Sequence, residues 1–208
     1  MLEIKIDKAQ LERIAQALNP KELQRATRNA TDTATTAIRK MAIDTAFDKF
    51  NINLKARLRK DPKGRDTSWV ERTTQVKPMA KIIFRGGTNP KSGDRPGLHH
   101  FAVGSQSGTP TYKIKRSSGV KTVPNAFYGK GKLKGLGIFE RSKTEKISFT
   151  TRGGKAGMRP KLVRRTGFST KQMIEDRETL AKVKTEGQII LLAKLKEQVE
   201  KQLRKRRG

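Results

Sequence analysis

Residues 19–41 read NPKELQRATRNATDTATTAIRKM, and this stretch decides the fold. Asn19 can accept a hydrogen bond from an amide in the first turn of a helix. Pro20 suits the first helical position, where no backbone N–H is needed, and Glu22 brings negative charge to the positive helix end. Behind them Leu23, Ala26, Ala30, Ala34, Ala37 and Met41 recur at spacings of three and four. They define one stripe of a helix expected to run to about Phe50. Small side chains on that stripe permit close approach of a partner element. Thr31, Asp32, Thr35 and Thr36 fall on the other side and are expected to face water.

Working outward, Leu2, Ile4 and Ile6 alternate with charged residues, the period of a half-buried strand. Leu11, Ile14, Ala15 and Leu18 then follow at helical spacing until Asn19-Pro20 interrupts them. Residues 54–59 continue a weak helical pattern, which Asp61-Pro62-Lys63-Gly64 ends with turn chemistry. The middle of the chain reads as short strands. Val76, Ile82, Ile83 and Phe84 mark a strand pair around Pro78, and Tyr112 and Ile114 alternate with Lys113 and Lys115. Val120 and Val123 lead into Pro124-Asn125-Ala126-Phe127-Tyr128. Ile138-Phe139, and then Ile147 with Phe149, mark two further strands.

Six glycines and three prolines lie within 85–110 with little periodicity, and 150–167 forms a second such stretch. Stretches of this length are expected to be functional, disordered, or ordered only by a partner. Towards the C-terminus, Ser169 with Gln172 and Thr185 with Gln188 both have capping-box spacing. Ile189, Leu192, Leu195, Val199 and Leu203 form the apolar side of an amphipathic helix, whose basic end, Arg204-Lys205-Arg206-Arg207, is expected to fray. The expected fold class is α+β: a small antiparallel sheet with long basic loops, packed by an N-terminal Ala-rich helix and a C-terminal amphipathic helix. One domain is expected over 1–208, with a helical N-terminal segment over 1–71, a basic strand and loop segment over 72–168, and C-terminal helices over 169–208.

The chain has 208 residues and carries 48 Lys and Arg against 19 Asp and Glu, a formal net charge of +29. The excess is uneven. Residues 1–71 hold 15 basic and 10 acidic side chains, 72–174 hold 23 and 3, and 175–208 hold 10 and 6. A surface so one-sided repels itself unless a polyanion or an acidic neighbour compensates, so nucleic acid is the first partner to consider. The absence of cysteine excludes disulfides, thiolate zinc sites and cysteine nucleophiles. No apolar run approaches a membrane-spanning length, and the opening MLEIKIDKAQLERI lacks the apolar centre of a signal peptide.

Chemistry is sparse. GKGKLKGLG over 129–137 fits neither the dinucleotide fingerprint nor the P-loop spacing, and reads as a flexible basic hairpin. His99 and His100 are the only histidines; on an extended chain they would point to opposite faces, which suits structural or surface roles. An acid–base pair would have to unite residues as distant as Asp94 and Glu140. Tyr112 among Lys113, Lys115 and Arg116, and Phe127-Tyr128 near Lys130, fit a base-stacking platform only loosely. Phosphate attraction independent of sequence is what these residues justify. The expectation is a non-enzyme without cofactor or metal.

The order of features resembles a known family. A short first helix and an Asn-Pro-led Ala-rich helix precede the basic stretch NINLKARLRK and the strand region QVKPMAKIIFRGG. VPNAFYGKGKLKGLGIFERS and a terminal amphipathic helix with a basic end follow. This resembles the minor tail protein Z family, the tail completion proteins of long-tailed bacteriophages, over nearly the whole chain. Its most specific piece is Pro124-Asn125-Ala126-Phe127, then the Gly-rich hairpin and Ile138-Phe139-Glu140-Arg141. These look like the family's Pro-x-Ala-Phe segment and the Phe-or-Val-then-Arg that follows it. The 85–110 stretch is more elaborate than the family pattern.

The resemblance implies a structural virion protein made in the bacterial cytoplasm and seated at the tail–neck region. There it would complete the tail for head–tail joining. It further implies a homo-oligomeric, sixfold ring around a DNA channel, in contact with tail tube or terminator proteins, neck or connector proteins and the tape measure protein, with no membrane. Lys113, Lys115, Arg116, Lys121, Lys130, Lys132 and Lys134 are the expected polyanion-facing residues. Ala26, Ala30, Ala34, Ala37, Met41, Leu192, Leu195 and Val199 are expected to pack in the core or between subunits. The alternative is a ribosomal-type RNA-binding protein, which shares the high pI, the basic Gly-rich loops and the scarcity of aromatics.

Overall fold

Helix α1 (Pro20–Lys49) begins as its first turn dictates. The Asn19 side chain accepts from the Glu22 amide at 2.9 Å, and the Glu22 carboxylate accepts from the Asn19 amide at 3.1 Å, a complete capping box. The computed structural model describes residues 18–60, 64–74, 79–86, 95–104, 108–129 and 137–207. Outside them lie the expected strand of Leu2, Ile4 and Ile6, most of the first helix, the Asp61-Pro62-Lys63 turn, Val76 and Pro78, and Lys130, Lys132 and Lys134.

After α1 come a single turn α2 (Ala56–Arg59), strands β1 (Ser68–Glu71) and β2 (Lys81–Phe84), and a 3-10 turn over Leu98–Phe101. Short strands β3 (Thr111–Tyr112), β4 (Lys121–Thr122) and β5 (Ala126–Tyr128) precede the long β6 (Ile138–Thr150) and β7 (Ala156–Arg164). Helices α3 (Thr170–Ile174) and α4 (Arg177–Arg207) close the chain. The protein is α+β, as expected, but among the described residues its strands form three antiparallel sheets rather than one: β1–β2, β3–β4 and β5–β6–β7.

The two long helices pack against each other. Ala26 and Ala30 of α1 are fully buried with Leu195 and Val199 of α4, and Leu18, Leu23 and Leu203 extend that cluster. Further along α1, Ala34, Ile38, Ala42, Ile43 and Ala46 join Val183 and Leu191 of α4 in the main core. The helices therefore run antiparallel. Ala residues in this seam let the helix axes approach closely and bury apolar surface along about 45 Å of helix. Phe50, Ile52, Leu58, Phe101, Ile138, Met173 and Ile174 fill the main core at the C-terminal end of α1. Gly167 is buried there, and a Cβ on it would lie 2.1 Å from the Phe101 ring, so only glycine permits the approach.

Several expectations are corrected. Thr35 is buried rather than solvent-facing, its hydroxyl donating to the Thr31 carbonyl at 2.6 Å, and Asp32 accepts from the Thr73 amide and hydroxyl at 2.9 and 3.0 Å. The β1–β2 sheet lies over this side of α1, which a strictly one-sided stripe does not anticipate; Arg39 also donates to Ser68 at 2.9 Å. Ala37 and Met41 are half-buried, because the inner stripe drifts onto Ile38, Ala42 and Ile43. The partner of β2 is β1, with Trp69 opposite Ile83, so residues 68–71 belong with the strands.

Ser169 forms its capping box with Gln172, but Thr185 lies inside α4, which already starts at Arg177. Ile189 is 63 % exposed and Leu192 half-buried, whereas Val183, Leu191, Leu195 and Val199 face inward. The basic end of α4 remains helical through Arg207. The two strands expected at Ile138 and Ile147 are one, β6, with an irregularity between Arg141 and Lys146. Half of the stretch 150–167 is β7, ordered by its pairing with β6.

The helix seam predicts unequal costs on α1 and α4. Leu195→Ala should lose about 2–5 kcal/mol, as for a fully buried leucine, and Ala30→Leu about 1–3 kcal/mol through overpacking. Ile189→Ala should stay within about 0.5 kcal/mol. Denaturant unfolding of the three variants checks this ranking.

Candidate nucleic-acid interface

The described members of the expected basic set sit around the C-terminal end of α1. The chain at 113–116 runs beside Phe50 and Asn51: the Asn51 amide donates to the Ile114 carbonyl at 2.8 Å and the Arg116 amide to the Lys49 carbonyl at 2.9 Å. Tyr112 and Ile114 pack on the main core. The apolar side expected for this segment is therefore present, although the strand itself spans only Thr111–Tyr112.

The four cations do different things. Arg116 is exposed, with its guanidinium over the Phe47 ring at 5.6 Å. Lys121 is exposed on β4, opposite Tyr112 of β3. Lys113 is half-buried, and its amide donates to the Phe101 carbonyl at 2.9 Å. Lys115 turns inward and pairs with Asp176 at 2.5 Å. Of the described four, Arg116 and Lys121 are therefore presented most openly to solvent.

Asp176 anchors an ion cluster. It immediately precedes α4 and pairs with both Lys115 and Lys49, and Lys49 also reaches Glu178 at 2.5 Å. Two cations thus meet the negative C-terminal end of α1, and two carboxylates meet the positive N-terminal end of α4. Burial pushes the Asp176 carboxyl up, but hydrogen bonds from Lys115 and Lys49 outweigh it and hold the carboxyl down at about 2. Burial likewise lowers the Lys49 ammonium, and its bonds to Asp176 and Glu178 more than offset that, leaving it raised.

The histidines occupy the 3-10 turn. Their rings lie 3.9 Å apart between centroids, not on opposite faces, because the turn brings consecutive side chains together. His100 is buried, with Nδ1 3.1 Å from Asn53 Oδ1, which fits a structural role. A groove of about 370 Å³ opens nearby, lined by Arg95, Leu98, Tyr112, Val123, Arg165 and Phe168 among others. Glu140 does not line it but pairs with Arg165, which does. Asp94 lies outside the described residues.

The Pro124-Asn125-Ala126-Phe127 segment makes a turn into β5, with Asn125 in the left-handed region at φ 59°, which asparagine tolerates. β5 then pairs with the start of β6, placing Ala126 opposite Glu140 and Phe127 opposite Phe139, with the two rings stacked at 6.4 Å. Between them, the Gly129 amide donates to the Gly137 carbonyl at 3.0 Å and closes the base of the Gly-rich segment.

A further basic surface among the described residues is one the sequence reading missed. From Arg141 onward β6 pairs, among the described residues, with β7 alone, and none of residues 140–166 is buried. Residues 141–165 carry nine basic side chains and one acidic. The signal lay in Gly153-Gly154 between two runs containing Ile147, Phe149, Met158 and Leu162, a hairpin pattern. No helix of the described residues is long and apolar enough to cross a membrane. Compared with protein-family models, with curated proteins and with solved structures, the chain matches none.

The cluster fixes an acid dependence. The folded Asp176 carboxyl ionises near 2 against an ordinary 3.8, so the unfolded chain takes up the proton first as pH falls. The stability Asp176 confers is present above about pH 4 and lost between 3.8 and 2. Asp176→Asn should cost about 1–2 kcal/mol at neutral pH, allowing for solvent screening, and should flatten that acid limb. Urea unfolding at a series of pH values measures both effects.

Proposed function

We propose that this chain is a structural virion protein of a long-tailed phage, a tail completion protein of the minor tail protein Z type. In this reading identical subunits form a ring at the head-proximal end of the tail. The ring borders the DNA path and contacts tail-tube, connector and tape measure proteins. It acts by contact and charge rather than by catalysis, and so takes part in head–tail joining.

The observation that carries the reading is the separation of charge from core. A firm helical body, α1 against α4, holds its own apolar interior, while the basic excess of the middle segment lies on exposed short strands, turns and a protruding hairpin. Such a surface attracts phosphate without selecting a sequence. The order of elements supports the family assignment. The paired segments around Ala126–Tyr128 and Ile138–Thr150 are the ones in which the resemblance is most specific.

Imaging of purified particles at a resolution that traces this chain is the direct test. Subunits in a ring between the tail tube and the connector are the expected result. Their absence there, with co-sedimentation of the protein on ribosomes and salt-sensitive binding to purified ribosomal RNA, would favour the ribosomal reading instead. Arg116→Gln with Lys121→Gln should reduce DNA retention in assembled particles. Lys115 should be left intact in that variant, because its loss would also disturb the Asp176 cluster.

A further inference from the structure

The β6–β7 hairpin is unlike the rest of the molecule. β5 pairs only with its base, from Ile138 to Glu140. Ten residues of β6 then continue to Thr150, a reach of about 30 Å at strand geometry, somewhat less across the irregularity. The tip is tightly closed: the Thr151 amide donates to the Lys155 carbonyl at 2.8 Å, the Gly154 amide to the Thr151 carbonyl at 2.9 Å, and Gly154 sits at φ 78°. The strands are therefore in a definite register as far as Thr150 opposite Ala156, yet none of their residues beyond Phe139 enters the core.

An isolated two-stranded ribbon is marginal in water. This one also exposes apolar side chains on both of its faces: Met158 is 63 % exposed, and Ile147, Leu162 and Val163 are exposed as well. With nine basic side chains against one acidic over 141–165, it repels itself. Lys161 pairs with the single carboxylate, Glu145, at 2.7 Å, and Arg159 lies over the Phe149 ring at 5.6 Å. Lys146 and Arg159 stand opposite Pro160 and Ile147 in the strand register, and Arg152 and Lys155 lie in the turn at the tip; all four are exposed. What completes such an element must be anionic and large enough to cover both faces.

We propose that the β6–β7 hairpin is a DNA-binding arm that lies in a groove of duplex DNA. The major groove is about 12 Å wide and admits a two-stranded ribbon. A reach of about 30 Å spans nearly one helical turn, so basic side chains on the two strands meet the phosphates that flank the groove. The contact is with the backbone and independent of base sequence. A second copy of this chain offers poor charge complementarity, since it too carries +29. The inference rests on the proposed tail function for the identity of the polyanion as DNA, and adds the element that touches it.

Fluorescence anisotropy of the full-length protein with a mixed-sequence duplex of about 30 base pairs tests it, over about 50–200 mM salt. Replacing Lys146, Arg152, Lys155 and Arg159 with Gln should weaken binding at least about a hundredfold at about 100 mM salt. It should also reduce the slope of log affinity against log salt by about 3–4. The tip variant R152Q/K155Q should lose about half of that slope. Both variants should keep their helical circular dichroism and thermal midpoint, since the altered side chains are exposed.

Wild-type slope and affinity in the four-site variant would overturn the proposal. So would a binding loss confined to R116Q/K121Q, or a wild-type protein that ignores duplex and uses the hairpin only to self-associate or to bind an acidic protein. Hairpin-dependent duplex binding by a protein missing from purified particles would support the arm and overturn the tail reading. Particles containing the protein but a hairpin indifferent to DNA would do the reverse.

Discussion

The contact between α1 and α4 sets the geometry to which the other elements conform. Two helices of 30 and 31 residues can lie together along their length only if their facing side chains leave little between the axes. Ala26, Ala30 and Ala34 supply that on α1, and larger side chains on α4 fill the remaining space, with Leu191, Leu195 and Val199 buried against them. A chain with only 33 % hydrophobic residues has few large apolar groups to spend on a core. Close approach of small residues buries area without them. The larger apolar residues are then concentrated at one end, where Phe50, Phe101, Ile138 and Met173 meet.

The antiparallel arrangement also solves an electrostatic problem. It brings the C-terminal end of one helix beside the N-terminal end of the other, and the Lys49, Lys115, Asp176 and Glu178 cluster matches the partial charges of both ends. Asp176 is among the few acidic groups in this basic protein held largely away from solvent, and it neutralises two lysines where the chain at 113–116 crosses the helix ends. The surplus positive charge is left on exposed strands and turns, where water and a polyanion can screen it. The hairpin is a clear case, since 141–165 carry nine basic side chains against one acidic and none of these residues is buried.

Legibility in the sequence followed the range of the interactions. The start of α1, its length and the Ser169 box rest on contacts within four residues, and all were readable. Thr185 had the same capping spacing but lies inside α4, because buried Thr179 and Val183 draw the helix back to Arg177. The inward side of α4 was ambiguous for a related reason. Ile189, Ile190, Leu191 and Leu192 are consecutive, so they surround the helix, and only the position of α1 selects Leu191 for burial. Of the basic candidates, Arg116 and Lys121 are exposed, whereas Lys115 is drawn inward by a carboxylate sixty-one residues away.

By itself, then, the sequence determined the local elements and the charge: where α1 begins, which small residues line it, where the Ser169 capping box opens a helix, and that residues 72–174 are strongly basic. Those properties depend on neighbours along the chain or on composition alone. The tertiary structure decided which strands pair, that β1 covers the Thr35 side of α1, and that residues 141–165 stand out as one basic ribbon. Strand pairing is a bond between distant segments, and the alternation of Ile147 with Phe149 marks a strand without naming its partner. The register between β6 and β7 is therefore visible only once the chain is folded.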